Sequence, residues 1–166
     1  MANRPLGQPH RLARKIISTR PMAWFLSHTA HLFDRFLMAR TGGRYSVAAL
    51  MTGLPVISLT TTGARSGQPR TVPLLGIPDG KNLILIASNW GQRHHPGWYY
   101  NIQATPQVHV ETNGQIVSYM AHRMEGMERQ RCWQTAVQCY PGYEAYKKWT
   151  NGREIPVFLL TPANKQ

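Results

Sequence analysis

Acidic side chains are scarce in this chain: 7 Asp and Glu stand against 19 Lys and Arg, a net charge of +12 at pH 7. Such a surplus calls for an anionic partner, which is a nucleic acid, an acidic membrane surface or a polyanionic small molecule. Cysteine is scarce as well. Cys132 and Cys139 lie seven positions apart in an expected helix, two turns along one face, beyond the ~7 Å Cα separation that a disulfide can bridge. They read as buried thiols in a reducing compartment. Long apolar runs are missing, since none reaches the ~18 residues of a membrane span, and no signal-peptide pattern opens the chain. A cytoplasmic location is therefore expected, with attachment at the inner face of the membrane as a variant. Metal-ligand spacing is lacking too: His28/His31 and His94/His95 are the only close histidine pairs, and neither comes with a carboxylate or cysteine at ligand distance. The histidines are expected to be structural or solvent-exposed, with no metal.

The charge that is present is uneven. Residues 1–44 hold eight basic side chains against the single acid Asp34, a local +7, and the remainder holds eleven against six, a local +5. Residues 1–20 form a polar, basic leader that the composition predicts to be mobile. In 22–40, Met22, Phe25, Leu26, Leu32, Phe33, Phe36 and Leu37 recur at helical spacing. Two readings of that amphipathic helix stand: docking on the domain core, or lying in a lipid interface. Beyond it, strands are predicted at 54–61, 70–77, 83–87, 107–112, 115–123 and 155–160, and short helices at 97–103, 125–139 and 143–149. Asn113-Gly114 between two apolar-alternating runs is a strong hairpin signal. Six short strands joined mostly by tight turns, with helices at the periphery, predict a mainly β (α+β) single domain over 21–166 built as a small antiparallel barrel.

Three features carry candidate chemistry. The first is Gly63-Ala64-Arg65-Ser66-Gly67-Gln68-Pro69-Arg70, a strand–turn–strand in which Arg65, Ser66 and Arg70 flank exposed backbone N–H groups. Such a turn suits a phosphate or carboxylate, although a plain solvated basic hairpin fits the spacing equally well. It matches neither a Walker A loop nor a dinucleotide fingerprint. The second is Ser88, at the end of a predicted buried strand, able to offer a hydroxyl and an N–H. No Gly-x-Ser-x-Gly elbow or acid–histidine pair supports a nucleophile there. The third is Tyr140, Tyr143 and Tyr146, spaced by three residues as if on one helical face. They form either a packing face or flat walls with phenolic donors for an aromatic substrate. Nucleic-acid binding rests on charge alone, since no basic-aromatic motif supports it, and none is expected.

With these segments in order, the sequence resembles the deazaflavin (coenzyme F420)-dependent nitroreductase and quinone reductase family. The matching stretches are 59–74, Ile86-Ala87-Ser88-Asn89, His95-Pro96-Gly97-Trp98-Tyr99-Tyr100-Asn101 with its continuation to Pro106, and the run from Tyr140-Pro141-Gly142-Tyr143 to Trp149-Thr150. They span about 42 to 160 at the family's spacing. The resemblance implies a flavin-reductase-like split β-barrel that binds coenzyme F420 in a groove. Position by position, Ala64, Arg65, Ser66, Arg70, Thr71, Val72, Pro73, Leu74 and Leu75 would hold the phosphate and part of the ring. Ile86, Ala87, Ser88, Asn89, Gly97, Trp98, Tyr99, Tyr100 and Asn101 would line the rest, with Tyr143 closing over it. Ser88, Tyr140, Tyr143 and Tyr146 would be the catalytic and acceptor-binding set.

What the resemblance implies is an oxidoreductase passing a hydride from reduced F420 to a quinone, nitroaromatic or activated alkene. His94 and His95 would sit near the groove mouth. Arg65 stands where relatives commonly carry Lys, Asn89 where they often carry a basic residue, and Leu75 where some carry Tyr. Two alternatives stay open at this stage: a non-catalytic module of the same fold that binds F420, a flavin or an apolar ligand, and flavin mononucleotide as the cofactor.

Overall fold

The computed structural model describes residues 56–112 and 114–163. The basic leader 1–20, the amphipathic stretch 22–40 and Asn113 lie outside the described residues. Among the described residues, seven strands form one antiparallel sheet: β1 (Val56–Thr62), β2 (Pro69–Leu75), β3 (Ile77–Asp79), β4 (Asn82–Ile86), β5 (Gln107–Thr112), β6 (Gln115–Arg123) and β7 (Val157–Pro162). Three helices join them: α1 (Gly97–Ala104), α2 (Gly126–Cys139) and α3 (Gly142–Trp149). Pro96 and Pro141 directly precede α1 and α3, where a missing N–H costs no helical hydrogen bond.

Spatial strand order is β2-β1-β5-β6-β7-β4-β3. The two edge strands, β2 and β3, are separated in sequence by Gly76 alone. One residue cannot span a flat seven-stranded sheet, whose strands lie ~4.8 Å apart, so the sheet must curl until its edges meet. This is the split barrel that the resemblance implies. A Cβ at Gly76 would fall 2.8 Å from the Ile57 side chain, so a bare backbone is what lets the edges turn past β1.

The seventh strand corrects the expectation of six. The 70–77 run was expected to be continuous, yet it breaks at Gly76, and Ile77–Asp79 pairs with Asn82–Ile86 across Gly80 instead of with β1. Gly80 adopts φ +65° there, a left-handed conformation that glycine takes without steric cost.

Alternation along β4 explains the packing. Leu83 and Leu85 face the barrel interior with Leu59, Val108, Val110, Phe158, Leu160 and the α1 residues Trp98, Tyr99 and Ile102. Ile84 and Ile86 face outward into a second core made with Ile77, Val157 and the α2 and α3 residues Cys132, Trp133, Ala136, Tyr143 and Tyr146. Neither cysteine forms a disulfide among the described residues, and Cys132 is fully buried. No helix among the described residues is long and apolar enough to cross a membrane.

Arg131 ties α2 to β3 through a bidentate pair with Asp79, Nη1 to Oδ1 at 3.0 Å and Nη2 to Oδ2 at 2.9 Å. That pair is partly exposed and contributes little beside the cores. In denaturant unfolding, Leu85→Ala is expected to lose about 3 kcal/mol, as for a fully buried leucine. Arg131→Ala is expected to lose under about 1 kcal/mol.

Candidate functional site

The β1–β2 turn closes on its own backbone. Gly63 N–H donates to the Gln68 carbonyl at 2.9 Å and Gly67 N–H to the Gly63 carbonyl at 2.8 Å. Gly67 sits at φ +66°, where glycine is favoured. The Ser66 hydroxyl accepts from Gln68 N–H at 3.3 Å and, more weakly, from Arg70 Nη2 at 3.5 Å. Arg65, Ser66 and Arg70 are exposed, and among the described residues neither arginine has a carboxylate partner. The amides of Arg65 and Ser66 donate to no described acceptor either. Two unneutralised guanidinium groups, a hydroxyl and two spare amides therefore converge on one tip, a donor set suited to a phosphate or carboxylate.

Asn101, from α1, braces this turn. Its Oδ1 accepts from Ala64 N–H at 3.0 Å, and its Nδ2 donates to Thr61 Oγ1 at 2.9 Å. The carboxamide thus spends both ends on the turn, and α1 sets where the cationic tip stands. Behind the tip, Thr71 pairs with Thr60 across the strands at 2.8 Å. Val72 and Leu74 pack on the barrel core, and Leu75 packs on the outer one.

The second part of the site follows β4. Ala87 is buried in the inner core and Ile86 in the outer one, so Ser88 emerges at the boundary between them. Ser88 is 8% exposed. Its N–H goes to the Ile86 carbonyl and its carbonyl accepts from Gly91 N–H. Its hydroxyl has no hydrogen-bond partner among the described residues and is not among their fully buried unpaired atoms, so it reaches the surface and stays open to a ligand oxygen. A single 3-10 turn over Asn89–Gly91 comes next, with Asn89 at φ 48° and Trp90 at φ 57°. Left-handed backbone at two consecutive non-glycine residues is strained and persists only under external restraint. The Asn89 side chain folds back on its own loop, Nδ2 donating to the His94 carbonyl at 3.1 Å.

The restraint on this loop comes from Arg153, which no motif in the sequence signals. Its guanidinium donates to the carbonyls of Ser88 (2.8 Å), Gln92 (2.9 and 3.0 Å) and Ala87 (3.3 Å). It also donates to His95 Nδ1 at 2.9 Å. The His95 ring stacks on Tyr99 with centroids 4.3 Å apart. Partial burial and the neighbouring Arg153 hold His95 below the ordinary histidine range. Of the histidines expected to be structural or solvent-exposed, His95 is a structural one, bonded to an arginine far away in sequence, where spacing rules do not reach.

The three tyrosines do meet, though not as one helical face. Tyr143 and Tyr146 belong to α3, while Tyr140 is the extended residue that ends α2. The Tyr140 and Tyr146 hydroxyls are 3.0 Å apart, and Tyr143 stands edge-on to both rings. Burial pushes the Tyr143 and Tyr146 phenols well above their ordinary value, so both remain protonated donors. Trp90 touches Tyr146 edge-on at 6.2 Å, joining the Ser88 loop to this cluster, and Leu75 packs against it as well. Trp133 Nε1–H donates to Glu144 at 2.7 Å and fixes α2 against α3.

The other expected site residues divide by exposure. Gly97 and Tyr100 are exposed, whereas Trp98 and Tyr99 are buried in the barrel, which leaves mainly their backbone for a ligand. Among the described residues, no group of three or more His, Cys, Asp or Glu side chains could hold a metal ion.

The model of the F420H(2)-dependent quinone reductase family matches residues 32–162. The F420H(2)-dependent quinone reductase Rv1261c of Mycobacterium tuberculosis is 34% identical over 110 residues, covering 64% of this chain and 73% of its own length. A solved F420-H2-dependent reductase, FDR-A, superposes with TM-score 0.60 at 39% identity over 64% of this chain and 94% of that one. A solved domain-swapped dimer superposes with TM-score 0.62 at 33% identity, covering 85% of this chain and 99% of that one.

A Cβ on Gly142 would overlap the Tyr140 ring, and rings in this core have little freedom to move aside. Gly142→Ala is therefore expected to cost about 2 kcal/mol by overpacking. It should also change the near-ultraviolet circular dichroism of the tyrosine cluster, with the far-ultraviolet spectrum unchanged.

Proposed function

Because the chain belongs to the F420H(2)-dependent quinone reductase family, we propose that its β1–β2 turn and Ser88 loop hold the two ends of the deazaflavin cofactor. The protein is an oxidoreductase that uses F420H2 to reduce a quinone. Bound F420H2 supplies the hydride from its C5 carbon, a two-electron donation suited to reducing a quinone to the quinol. The protein contributes binding, orientation and electrostatics.

The residues present fit that cofactor. The observation that carries the assignment is the exposed tip at 64–70, where cationic and amide donors converge with no acidic partner among the described residues. The acidic appendage of the cofactor is the ligand such a tip suits. Arg65, Ser66 and Arg70 take that role together with the Ala64–Ser66 backbone, and Thr71 to Leu75 form the rim between tail and ring. Ile86, Ala87 and Asn89, with Gly97 to Asn101, frame the ring end. Much of that framing falls to backbone, given the burial of Ile86, Ala87, Trp98 and Tyr99.

Ser88 is the donor for the developing oxyanion of the acceptor, because its hydroxyl is otherwise unused. Tyr143, kept neutral by burial, acts as a hydrogen-bond donor and not as a base. Tyr140 and Tyr146, linked through their hydroxyls, supply the flat apolar wall beside it. A nitro oxygen could use the same donors as a quinone oxygen.

Titration and turnover test this. Arg65→Ala with Arg70→Ala is expected to weaken F420 binding about 30-fold, the scale of losing charge-assisted hydrogen bonds. Binding of a deazaflavin that lacks the phosphate tail should hold steady, and equal loss for both ligands would remove the clamp. In steady-state reduction of menadione, Ser88→Ala is expected to lower kcat about tenfold. Tyr143→Phe should lower kcat with little change in F420 affinity.

A further inference from the structure

Among the described residues, Arg153 is an extensively bonded cation with no anion beside it. Arg153 spends its guanidinium on the carbonyls of Ala87, Ser88, Gln92 and Glu154 and on one ring nitrogen of His95. No described carboxylate lies within ion-pairing distance of it. Burial without a counter-charge disfavours a cation and lowers its proton affinity. A guanidinium kept under that cost is there for geometry: a planar fork of N–H donors matches several carbonyls at once, which an ammonium cannot do. Its acceptors bracket the residue whose hydroxyl is free, and they border the two left-handed residues Asn89 and Trp90.

We propose that Arg153 is a positioning residue for hydride transfer, holding the Ser88 loop, with neutral His95 as its partner, in the arrangement that presents the Ser88 hydroxyl to the acceptor. The proposal rests on the assignment of Ser88 to the acceptor site.

The His95 contact makes the device sensitive to pH. Arginine only donates, so His95 Nδ1 must be an unprotonated acceptor, and the proton of the neutral ring sits on Nε2. Protonating Nδ1 replaces an N–H···N bond by two opposed N–H groups and two like charges. The charged and titratable groups facing His95 are Arg153, Arg123 and His94, which disfavour its protonation, and Glu154, which favours it. The sign follows: a folded-state pKa below 6.5 means the neutral ring stabilises the loop above that pH. The stabilisation is lost as pH falls through the folded value.

The test uses the full chain with F420H2 and menadione. Arg153→Lys, which keeps charge but loses the fork, is expected to lower kcat about 10- to 100-fold, the scale of a misplaced reacting group. F420 affinity should fall much less than kcat, because the tail is held elsewhere even though the loop frames the ring end. His95→Asn places an amide oxygen near the Nδ1 position with no proton to gain, and should move the acid limb of the kcat profile to lower pH. A wild-type kcat in Arg153→Lys overturns the proposal. So does an acid limb unchanged in His95→Asn, which decides the matter if the arginine variant does not fold. Normal kcat in Ser88→Ala would instead remove the acceptor-site assignment itself. Impaired Ser88→Ala beside normal Arg153→Lys would remove only the role of Arg153.

Discussion

β4 is buried on both of its faces, and the site follows from that constraint. Leu83 and Leu85 fill the barrel while Ile84 and Ile86 fill the space beneath α2 and α3. A strand clamped between two cores ends with little lateral freedom. The residue after Ala87 therefore emerges at the seam where barrel, α1 and α3 meet. Ser88 owes its position to this seam and to Arg153, whose guanidinium reaches its carbonyl at 2.8 Å from the far side of the loop. The same seam puts Trp90 against Tyr146 and so couples the tyrosine cluster to the loop.

Positive charge plays opposite physical roles at the two ends of the site. Arg65 and Arg70 stand in water without acidic partners, where their hydration costs little and their field reaches incoming anions, within the screening length of the medium. Arg153 is partly buried, and its charge is dispersed over backbone carbonyl dipoles. The first arrangement favours capture of an acidic ligand. The second favours rigidity, because each carbonyl that loses the guanidinium would be left unsatisfied in a half-buried place. Helix α1 links the two ends: Asn101 braces the cationic turn, and Tyr99 carries the stacked His95 ring.

The tyrosine cluster adds a third environment. Its phenols are removed from water, so their ionised forms are strongly disfavoured. Neutral donors and flat apolar walls suit a quinone, whose oxygen gains charge during reduction and whose ring stays apolar throughout. The hydroxyl pair of Tyr140 and Tyr146 satisfies two polar groups internally, which makes burial of so much phenol tolerable.

Local chemistry made several elements legible without coordinates. The glycine-punctuated turn at 63–70, the Asn113-Gly114 hairpin signal, the proline-led helices and every strand but β3, which was merged with β2, follow from turn residues and alternation, which act over a few residues. The basic tip was legible for the same reason. The break at Gly76 was not, because it depends on Ile57, nineteen positions earlier. The spacing of three suggested one helical face for the tyrosines, whereas the expected helix bounds at 139 and 143 already left Tyr140 between two helices, where the structure has it.

Arg153 was silent in the sequence, since a guanidinium that binds carbonyls leaves no pattern of acidic partners to detect, and His95 was placed only near the groove mouth. The sequence by itself determined the barrel class, the cationic turn and the family to which the chain belongs, all carried by near-neighbour patterns. Tertiary structure alone decided which hydroxyl stays free, which phenols lose water and which cation holds the loop. The last of these arises from contacts between Arg153 and a loop up to 66 residues earlier, brought together by closure of the sheet.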